Sequence, residues 1–435
     1  MSDVKTVCVV GIWHLGIVNA VGFAEKGYKV IGIDFNPEKA QELQDGTPPL
    51  FEPGLQELLD KHIASGQLLF SSDAALVESA DYVLIAYDSP VNDKDEVDTT
   101  PVVEAAVKIA EYLQPTTPLL ITSQLPLGTS ETIEAQVQEL NSKWKSGVVY
   151  TPENLRLGNA IERFLAPDMI VLGASSDAAL VSAEELYSVI EAPKPSMSLR
   201  SAEMVKHALN AFLATAITFG NEMGNFADRL GADAVDVAKA LKLDKRINKA
   251  PIFPGLGFSG GTLARDVTQL QKFSKEFDYN AALIESILVI NEDTFDQIIV
   301  KLKNAVGDVK GKTIGVLGLT YKPGTSTMRR SPAVKLIEKL NELEATCIGY
   351  DPMASEEEFS PYKNIVTRVD SVTELASQSD ALVLVTEWPE FADLDYNALA
   401  ASMSKPVFID TKNFIDPATL TAAGFNWQGY GRKGQ

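Results

Sequence analysis

Short apolar runs alternate with helical segments at both ends of the chain, and this alternation limits the fold more than any other feature. Runs rich in Val, Ile and Leu between helical patterns are typical of βαβ units, whose parallel sheets are buried on both faces. In the N-terminal part we predict strands at residues 6–10, 29–33, 82–86, 119–122, 148–150 and 170–172. The alternation restarts near the C-terminus, with strands predicted at 313–317, 346–349, 381–385 and 407–409.

The middle of the chain has a helical pattern instead. One long helix is predicted over residues 201–229, and further helices continue to about residue 303. The predicted fold is therefore α/β, with two Rossmann-like doubly wound domains (1–198 and 306–435) joined by a central helical domain (199–305). A long helix between two such domains commonly pairs with its own copy, so we expect a homodimer. The alternative is a helix that packs under both domains of one chain.

Charge and composition exclude several classes of partner. Lys and Arg total 38 against 59 Asp and Glu, a net charge of −21, and such a surface repels nucleic acid and anionic membranes. No apolar run is long enough to span a bilayer, and the N-terminus enters a strand without a signal-peptide pattern, so we expect a cytoplasmic protein. Cys8 and Cys347 lie in apolar runs and are expected to be buried free thiols. No metal site is predicted.

Residues 9–16, Val-Val-Gly-Ile-Trp-His-Leu-Gly, follow the first predicted strand, and Asp34 ends the second. This layout is that of a Rossmann turn, in which an acid meets the adenosine ribose, and it predicts NAD rather than NADP. The middle glycine is replaced by Trp13, which must either point away or partly fill the cofactor site. His14 is either a phosphate ligand or a solvated loop residue. The predicted cofactor residues in this segment are Gly11, Trp13, His14, Leu15, Gly16 and Asp34.

A second glycine-rich stretch runs from Gly255 to Gly261 and leads into an amphipathic helical pattern. Glycine tolerates positive φ and has no Cβ, so this stretch is expected to approach a ligand closely. The start of the following helix is a natural anion site. We therefore predict a ligand loop here, which includes Gly255, Gly257, Gly260 and Gly261.

Several motifs occur in a fixed order along nearly the whole chain. They are FEPGL at 51–55, Ser89-Pro90, SQLPLGT at 123–129, PENLR at 152–156, KHALNAFL at 206–213, Arg246-Ile247, the glycine loop, YKP at 321–323 with Thr325 and Arg329, YDP at 350–352, and TEW at 386–388 with Phe391. In this order they resemble the UDP-glucose/GDP-mannose dehydrogenase family. The resemblance adds Ser89 and Pro90 to the expected cofactor residues. It also implies a UDP-sugar substrate and a role in polysaccharide biosynthesis.

In this family a nucleotide sugar is oxidised to its uronic acid by two hydride transfers to NAD⁺, through a cysteine thioester. The resemblance implies that Lys206 and Asn210 hold an oxyanion and a water, that Asp266 assists proton transfer, and that Glu153 acts in hydrolysis. Lys206 and Asn210 are four residues apart and therefore share one helix face.

The chain departs from the family pattern at four positions. Thr262 replaces the nucleophilic cysteine, Gln124 a threonine, Arg265 a lysine and Leu157 a glutamate. Acyl transfer needs a thiolate or an activated hydroxyl, and no histidine is near Thr262 in the sequence to activate it. We therefore expect no thioester route, although Thr262 and Gln124 remain among the predicted catalytic residues.

Hydride transfer from the sugar to NAD⁺ does not need the cysteine, so we expect this reaction in spite of the four changes. The alternatives are an epimerase that retains its NAD and a catalytically inactive nucleotide-sugar-binding homologue. The resemblance places the substrate phosphates near the glycine loop, Lys322 and Arg329, with Arg246 contributed by a neighbouring subunit. The predicted substrate residues are Arg246, Phe253, Gly255, Gly257, Gly260, Gly261, Arg265, Lys322 and Arg329.

Overall fold

The computed structural model describes residues 4–90, 97–152, 155, 158–259 and 261–433. The chain divides into two compact units, residues 1–208 and 209–435, and the boundary lies inside one long helix. The strands of the first unit are β1 (Thr6–Val10), β2 (Lys29–Ile33), β3 (Leu68–Ser71), β4 (Tyr82–Ile85), β5 (Leu119–Ile121), β6 (Val148–Tyr150), β7 (Leu172–Ala174) and β8 (Ser196–Ser198). Its helices are α1 (His14–Glu25), α2 (Pro37–Gln44), α3 (Leu55–Ala64), α4 (Thr100–Ile109), α5 (Thr129–Leu140), α6 (Ala160–Leu165) and α7 (Asp177–Leu186), after which α8 (Leu199–Leu230) crosses the boundary.

The first unit contains a doubly wound sheet with strand order β3-β2-β1-β4-β5-β6-β7-β8. All pairings are parallel except that of β6 with β7. Alternate residues of β1 enter different cores: Val7 and Val9 pack on one side of the sheet, Cys8 and Val10 on the other. Both faces are therefore covered, which explains why the strand is apolar throughout.

The second unit begins with the rest of α8 and the helices α9 (Ala234–Leu241), α10 (Leu263–Glu276) and α11 (Ala282–Val306). Its strands are β9 (Thr313–Leu317), β10 (Thr346–Tyr350), β11 (Thr367–Arg368), β12 (Ala381–Leu384), β13 (Val407–Asp410), β14 (Asn426–Gly429) and β15 (Arg432–Lys433). The remaining helices are α12 (Pro332–Glu342), α13 (Glu356–Phe359), α14 (Val372–Ser377), α15 (Tyr396–Ser402) and α16 (Pro417–Ala422). The sheet order is β11-β10-β9-β12-β13-β14-β15, parallel except for β14 with β15.

The predicted fold class is confirmed, with two Rossmann-like sheets and a central helical region. The sequence missed the short strands β3, β8, β11, β14 and β15. Ser196–Ser198 shows why, because a strand of three residues with a single apolar side chain has no periodicity to detect. Cys8 and Cys347 are buried free thiols as expected. Among the described residues, no helix combines the length and apolarity needed to cross a membrane.

Candidate active site

The segment between β1 and α1, residues 11–16, forms a tight turn that we call the cofactor turn. Gly11 has φ +92°, and a Cβ there would lie 2.5 Å from the Tyr87 ring. A Cβ on Gly16 would collide with the carbonyl oxygen of Gly11. Glycine is therefore required at both positions, and the turn delivers the backbone to the N-terminus of α1. Free N–H groups at such a helix start fit the diphosphate of NAD.

Three predicted cofactor residues inside this turn have different environments. Trp13 is the N-cap residue of α1 and leaves 51% of its surface exposed, whereas Leu15 is buried in the core of the first unit. His14 Nε2 lies 3.2 Å from Oε2 of Glu52, so His14 is not a solvated loop residue. The sequence marked Glu52 as part of the FEPGL motif but did not predict this contact, because 38 residues separate Glu52 from His14.

Other predicted cofactor residues follow the carboxyl ends of the strands on either side of β1. Asp34 is half-buried after β2 and accepts a hydrogen bond from the Asn36 N–H at 2.9 Å. Burial, together with the nearby Asp34 carboxylate, raises the pKa of Tyr87 to about 12. The Ser89 hydroxyl donates to the Gln124 carbonyl at 2.6 Å. Doubly wound sheets bind ligands at this edge, where the strand order reverses, so these residues fit NAD.

Pro90 and Lys206 complete the predicted residues of the first unit that can be described. The Pro90 carbonyl accepts from the Asp98 N–H at 2.8 Å. Lys206 is buried on α8, and the N-terminus of α5 holds that helix in place: Glu203 accepts from Gly128 N–H at 2.6 Å and from Ser130 N–H at 2.9 Å. Glu153, a predicted catalytic residue, and Leu157 lie outside the described residues.

In the second unit the structure brings two predicted catalytic residues into contact. Asn210 Nδ2 donates to Oδ2 of Asp266 at 2.5 Å, and both side chains are buried. Asp266 lies in the first turn of α10, and Thr262 is the exposed N-cap residue of that helix, with no capping bond from its hydroxyl. The continuous helix α8 places Lys206 and Asn210 on successive turns, as predicted.

The glycine-rich stretch, here called the substrate loop (residues 255–262), departs from expectation in one respect. Gly255 and Gly257 do not adopt positive φ. A Cβ would instead lie 3.0 Å from the Thr411 carbonyl at Gly255 and would collide with Asn291 Oδ1 at Gly257. These two glycines therefore admit neighbouring protein atoms, and positive φ is not the reason for glycine there, while the close approach to a ligand stays a prediction. Gly260 lies outside the described residues.

The last glycine of the loop reveals a cation that the sequence did not single out. A Cβ on Gly261 would lie 2.5 Å from Nη1 of Arg330, a half-buried residue with φ +59°. Arg329 and Lys322, which the sequence favoured, are both exposed. The sequence does contain two adjacent arginines at 329–330, but only the packing in the structure shows that Arg330 is the one near Gly261.

The remaining predicted substrate residues are spread over the second unit. Arg246 is exposed and pairs with Asp244 at 2.6 Å, and Arg265 is half-buried in the first turn of α10. Phe253 borders a cleft of about 490 Å³. This cleft is lined by Val235, Lys239, Phe253, Pro254, Glu387, Lys412, Asn413 and Phe414.

The second Rossmann-like sheet has a turn that resembles the cofactor turn but is occupied by the protein itself. Gly318 follows β9 with φ +85°, as Gly11 follows β1. The buried Asp351 carboxylate accepts from the N–H groups of Leu319 at 2.8 Å and Thr320 at 2.9 Å. Those N–H groups are therefore taken by a side chain. The turn of the first sheet is the better fit to NAD.

Comparison with known proteins agrees with this arrangement. Three sequence profiles of the UDP-glucose/GDP-mannose dehydrogenase family match the chain: the NAD binding domain at residues 5–191, the central domain at 200–293 and the UDP binding domain at 315–417. The chain belongs to the UDP-glucose/GDP-mannose dehydrogenase family. As a member of this family it is an NAD-dependent nucleotide-sugar dehydrogenase, which confirms the predicted family, enzyme class and cofactor.

Relatives of this dehydrogenase match it along almost its entire length. UDP-glucose 6-dehydrogenase TuaD of Bacillus subtilis is 35% identical over 430 residues, which cover 98% of this chain and 93% of that protein. UDP-glucose 6-dehydrogenase of Rhizobium meliloti is 35% identical over 434 residues, covering 98% and 99%. The solved UDP-glucose dehydrogenase of Pyrobaculum islandicum is 33% identical, has a TM-score of 0.87, and covers 99% of this chain and 98% of its own.

Proposed function

We propose that this dehydrogenase oxidises the sugar of a UDP-linked nucleotide sugar by hydride transfer to NAD⁺, without a covalent thioester. The observation that carries the proposal is the buried Asn210–Asp266 pair next to an exposed Thr262. The polar machinery for moving a proton is retained, but the nucleophile position holds a hydroxyl without a capping bond. The UDP-glucose 6-dehydrogenases among the relatives make UDP-glucose the first substrate to test.

The proposed reaction balances as a two-electron oxidation. NAD⁺, when bound, supplies the hydride acceptor. The hydroxyl proton leaves as the C–H bond breaks, and Lys206 stabilises the developing alkoxide charge. Asp266, oriented by Asn210, is the proposed proton acceptor. A carbonyl forms, and further oxidation to the acid would proceed through its hydrate.

The test is to incubate the pure protein with NAD⁺ and a panel of nucleotide sugars, and to follow NADH absorbance and product mass. We expect NADH with a product about 2 Da lighter, or about 14 Da heavier if the hydrate is oxidised in turn. An isomer without net NADH would favour the epimerase. If the nucleotide sugars raise the melting temperature but none of them is turned over, the enzyme assignment is overturned.

Variants separate the roles of the named residues. Thr262→Ala should keep turnover, because the proposed route does not pass through its hydroxyl, whereas Lys206→Ala should lower kcat by about 10²–10³-fold. Thr262→Cys should gain acid formation if the rest of the family machinery is intact. Loss of turnover in Thr262→Ala with substrate binding retained would contradict the proposal.

We also propose that the protein forms a homodimer through α8 and that it is located in the cytoplasm. We further propose that the chain has three domains, with boundaries at residues 198/199 and 305/306. The pattern of exposed aromatic residues on α8 supports the dimer. In the proposed dimer, Arg246 would reach the site of the partner copy.

A further inference from the structure

A buried carboxylate lies beside the cofactor turn, and hydride transfer itself does not require it. The side chain of Glu52 is fully buried. Its Oε1 accepts from the Ala160 N–H at 2.8 Å and its Oε2 from the Gly158 N–H at 2.9 Å. A buried charge is retained only where it is paired or hydrogen-bonded, and these two backbone groups fix the carboxylate in one orientation.

The third partner of this carboxylate belongs to the cofactor turn. His14 is the first residue of α1, its side chain is only 18% exposed, and its Nε2 lies 3.2 Å from Glu52 Oε2. Because Gly158 and Ala160 already hold the carboxylate, the contact also fixes the imidazole. The first turn of α1 is thereby tied to a distant segment of the same unit.

The residues of the turn explain why the contact between His14 and Glu52 matters for binding the diphosphate. Trp13 stands where a Rossmann turn has its middle glycine, and it forms no side-chain capping bond with α1. A helix start binds a diphosphate only if its N–H groups are presented in a fixed direction. The contact of His14 with Glu52 fixes the direction of the first turn of α1.

We propose that His14 and Glu52 are positioning residues for NAD. The pair holds the first turn of α1 so that its N–H groups meet the diphosphate. The proposal rests on the placement of NAD on this turn.

The chain provides a matched control at the other end of the same helix. His62 is also buried, and its Nε2 lies 2.8 Å from Oε2 of Glu25, the last residue of α1. Both histidines therefore pair with a glutamate carboxylate in the first unit, but His62 contacts the C-terminal end of α1. Loss of either histidine should cost stability, and only loss of His14 should affect NAD.

The experiment measures the Kd of NAD⁺ for the full chain by calorimetry in wild type, His14→Phe, His14→Gln, Glu52→Gln and His62→Phe. We expect His14→Phe to weaken binding about tenfold or more, since a bond to a charged group is lost. Glu52→Gln should also weaken it. His14→Gln, whose amide reaches the same acceptor, should recover most of the affinity. His62→Phe should stay within about twofold of wild type while lowering the melting temperature.

Two results would overturn the proposal: a Kd for His14→Phe within about twofold of wild type, or equal weakening in His62→Phe. Should His14→Phe not fold, His14→Gln is compared with His14→Asn, whose shorter amide does not reach Glu52, and equal affinities would then overturn the proposal. If wild type itself does not bind NAD⁺, the placement of the cofactor fails rather than the positioning role.

Discussion

At the scale of single residues, Gly257 illustrates how the absence of a side chain allows the substrate loop to pack closely against a helix. Its N–H donates to Thr294 Oγ1 at 3.2 Å, and Asn291 Nδ2 donates to the Phe258 carbonyl at 3.0 Å. Both partners belong to α11, so the loop lies directly against that helix. A Cβ at position 257 would meet the Asn291 side chain.

We therefore predict that Gly257→Ala destabilises the protein by about 1–3 kcal/mol, the usual effect of an overpacked site. The measurement is the urea unfolding midpoint, monitored by tryptophan fluorescence. Because the collision is with one side chain, the loss should be smaller when Gly257→Ala is introduced into an Asn291→Ala background. Strict additivity of the two substitutions would show that Asn291 is not the cause.

At the scale of elements, the long helix α8 carries an unusual surface. Phe212, Phe219 and Phe226 are exposed and spaced seven residues apart, so they lie on nearly the same side of the helix. Exposed aromatic residues in such a row mark a protein interface more often than a solvated face. A second copy of α8 is the occupant we propose.

Phe219→Glu should therefore convert the proposed dimer to a monomer, because it buries a charge without a partner in the proposed interface. Light scattering coupled to size-exclusion chromatography measures the mass. Phe277→Glu is the control, since Phe277 is also exposed but lies at the C-terminal end of α10. A monomeric wild type, or an unchanged mass for Phe219→Glu, would contradict the dimer.

At the scale of the whole molecule, two Rossmann-like sheets occur in one chain, but only the first has a turn that fits NAD. In the second, Asp351 takes the N–H groups of Leu319 and Thr320, and it also accepts from the Trp388 indole at 3.1 Å. In the first, the corresponding acid Asp34 bonds its own neighbour Asn36, as a ribose-binding carboxylate can. The same architecture thus supports different ligands.

The expected stoichiometry is one NAD⁺ per chain. Asp34→Ala should weaken NAD⁺ binding about tenfold and improve the relative affinity for NADP⁺, because the carboxylate that repels a 2′-phosphate is gone. Calorimetric titration gives both the stoichiometry and the affinities. Asp351→Ala should lower the melting temperature and leave NAD⁺ affinity unchanged. Two NAD⁺ per chain would show that the second turn is open after all.

The sequence by itself determined the two sheets, the long helix and the position of the cofactor turn. Buried parallel strands need continuous apolar runs, and Gly11 and Asp34 stand at the ends of two such runs. These signals are local, so one sequence carries them. The prediction of Lys206 and Asn210 on one helix also needed only a spacing of four residues.

Only the tertiary structure decided which side chains meet. The contact of His14 with Glu52 and the closeness of Gly261 to Arg330 involve residues far apart in the chain, and no periodicity encodes them. The sequence revealed the glycines of the substrate loop, but not which protein atoms leave no room for a side chain there. Those atoms are the side chain of Asn291 and the carbonyl of Thr411, which are distant in the chain. Local pattern fixes secondary structure, whereas packing between distant segments decides which group faces which.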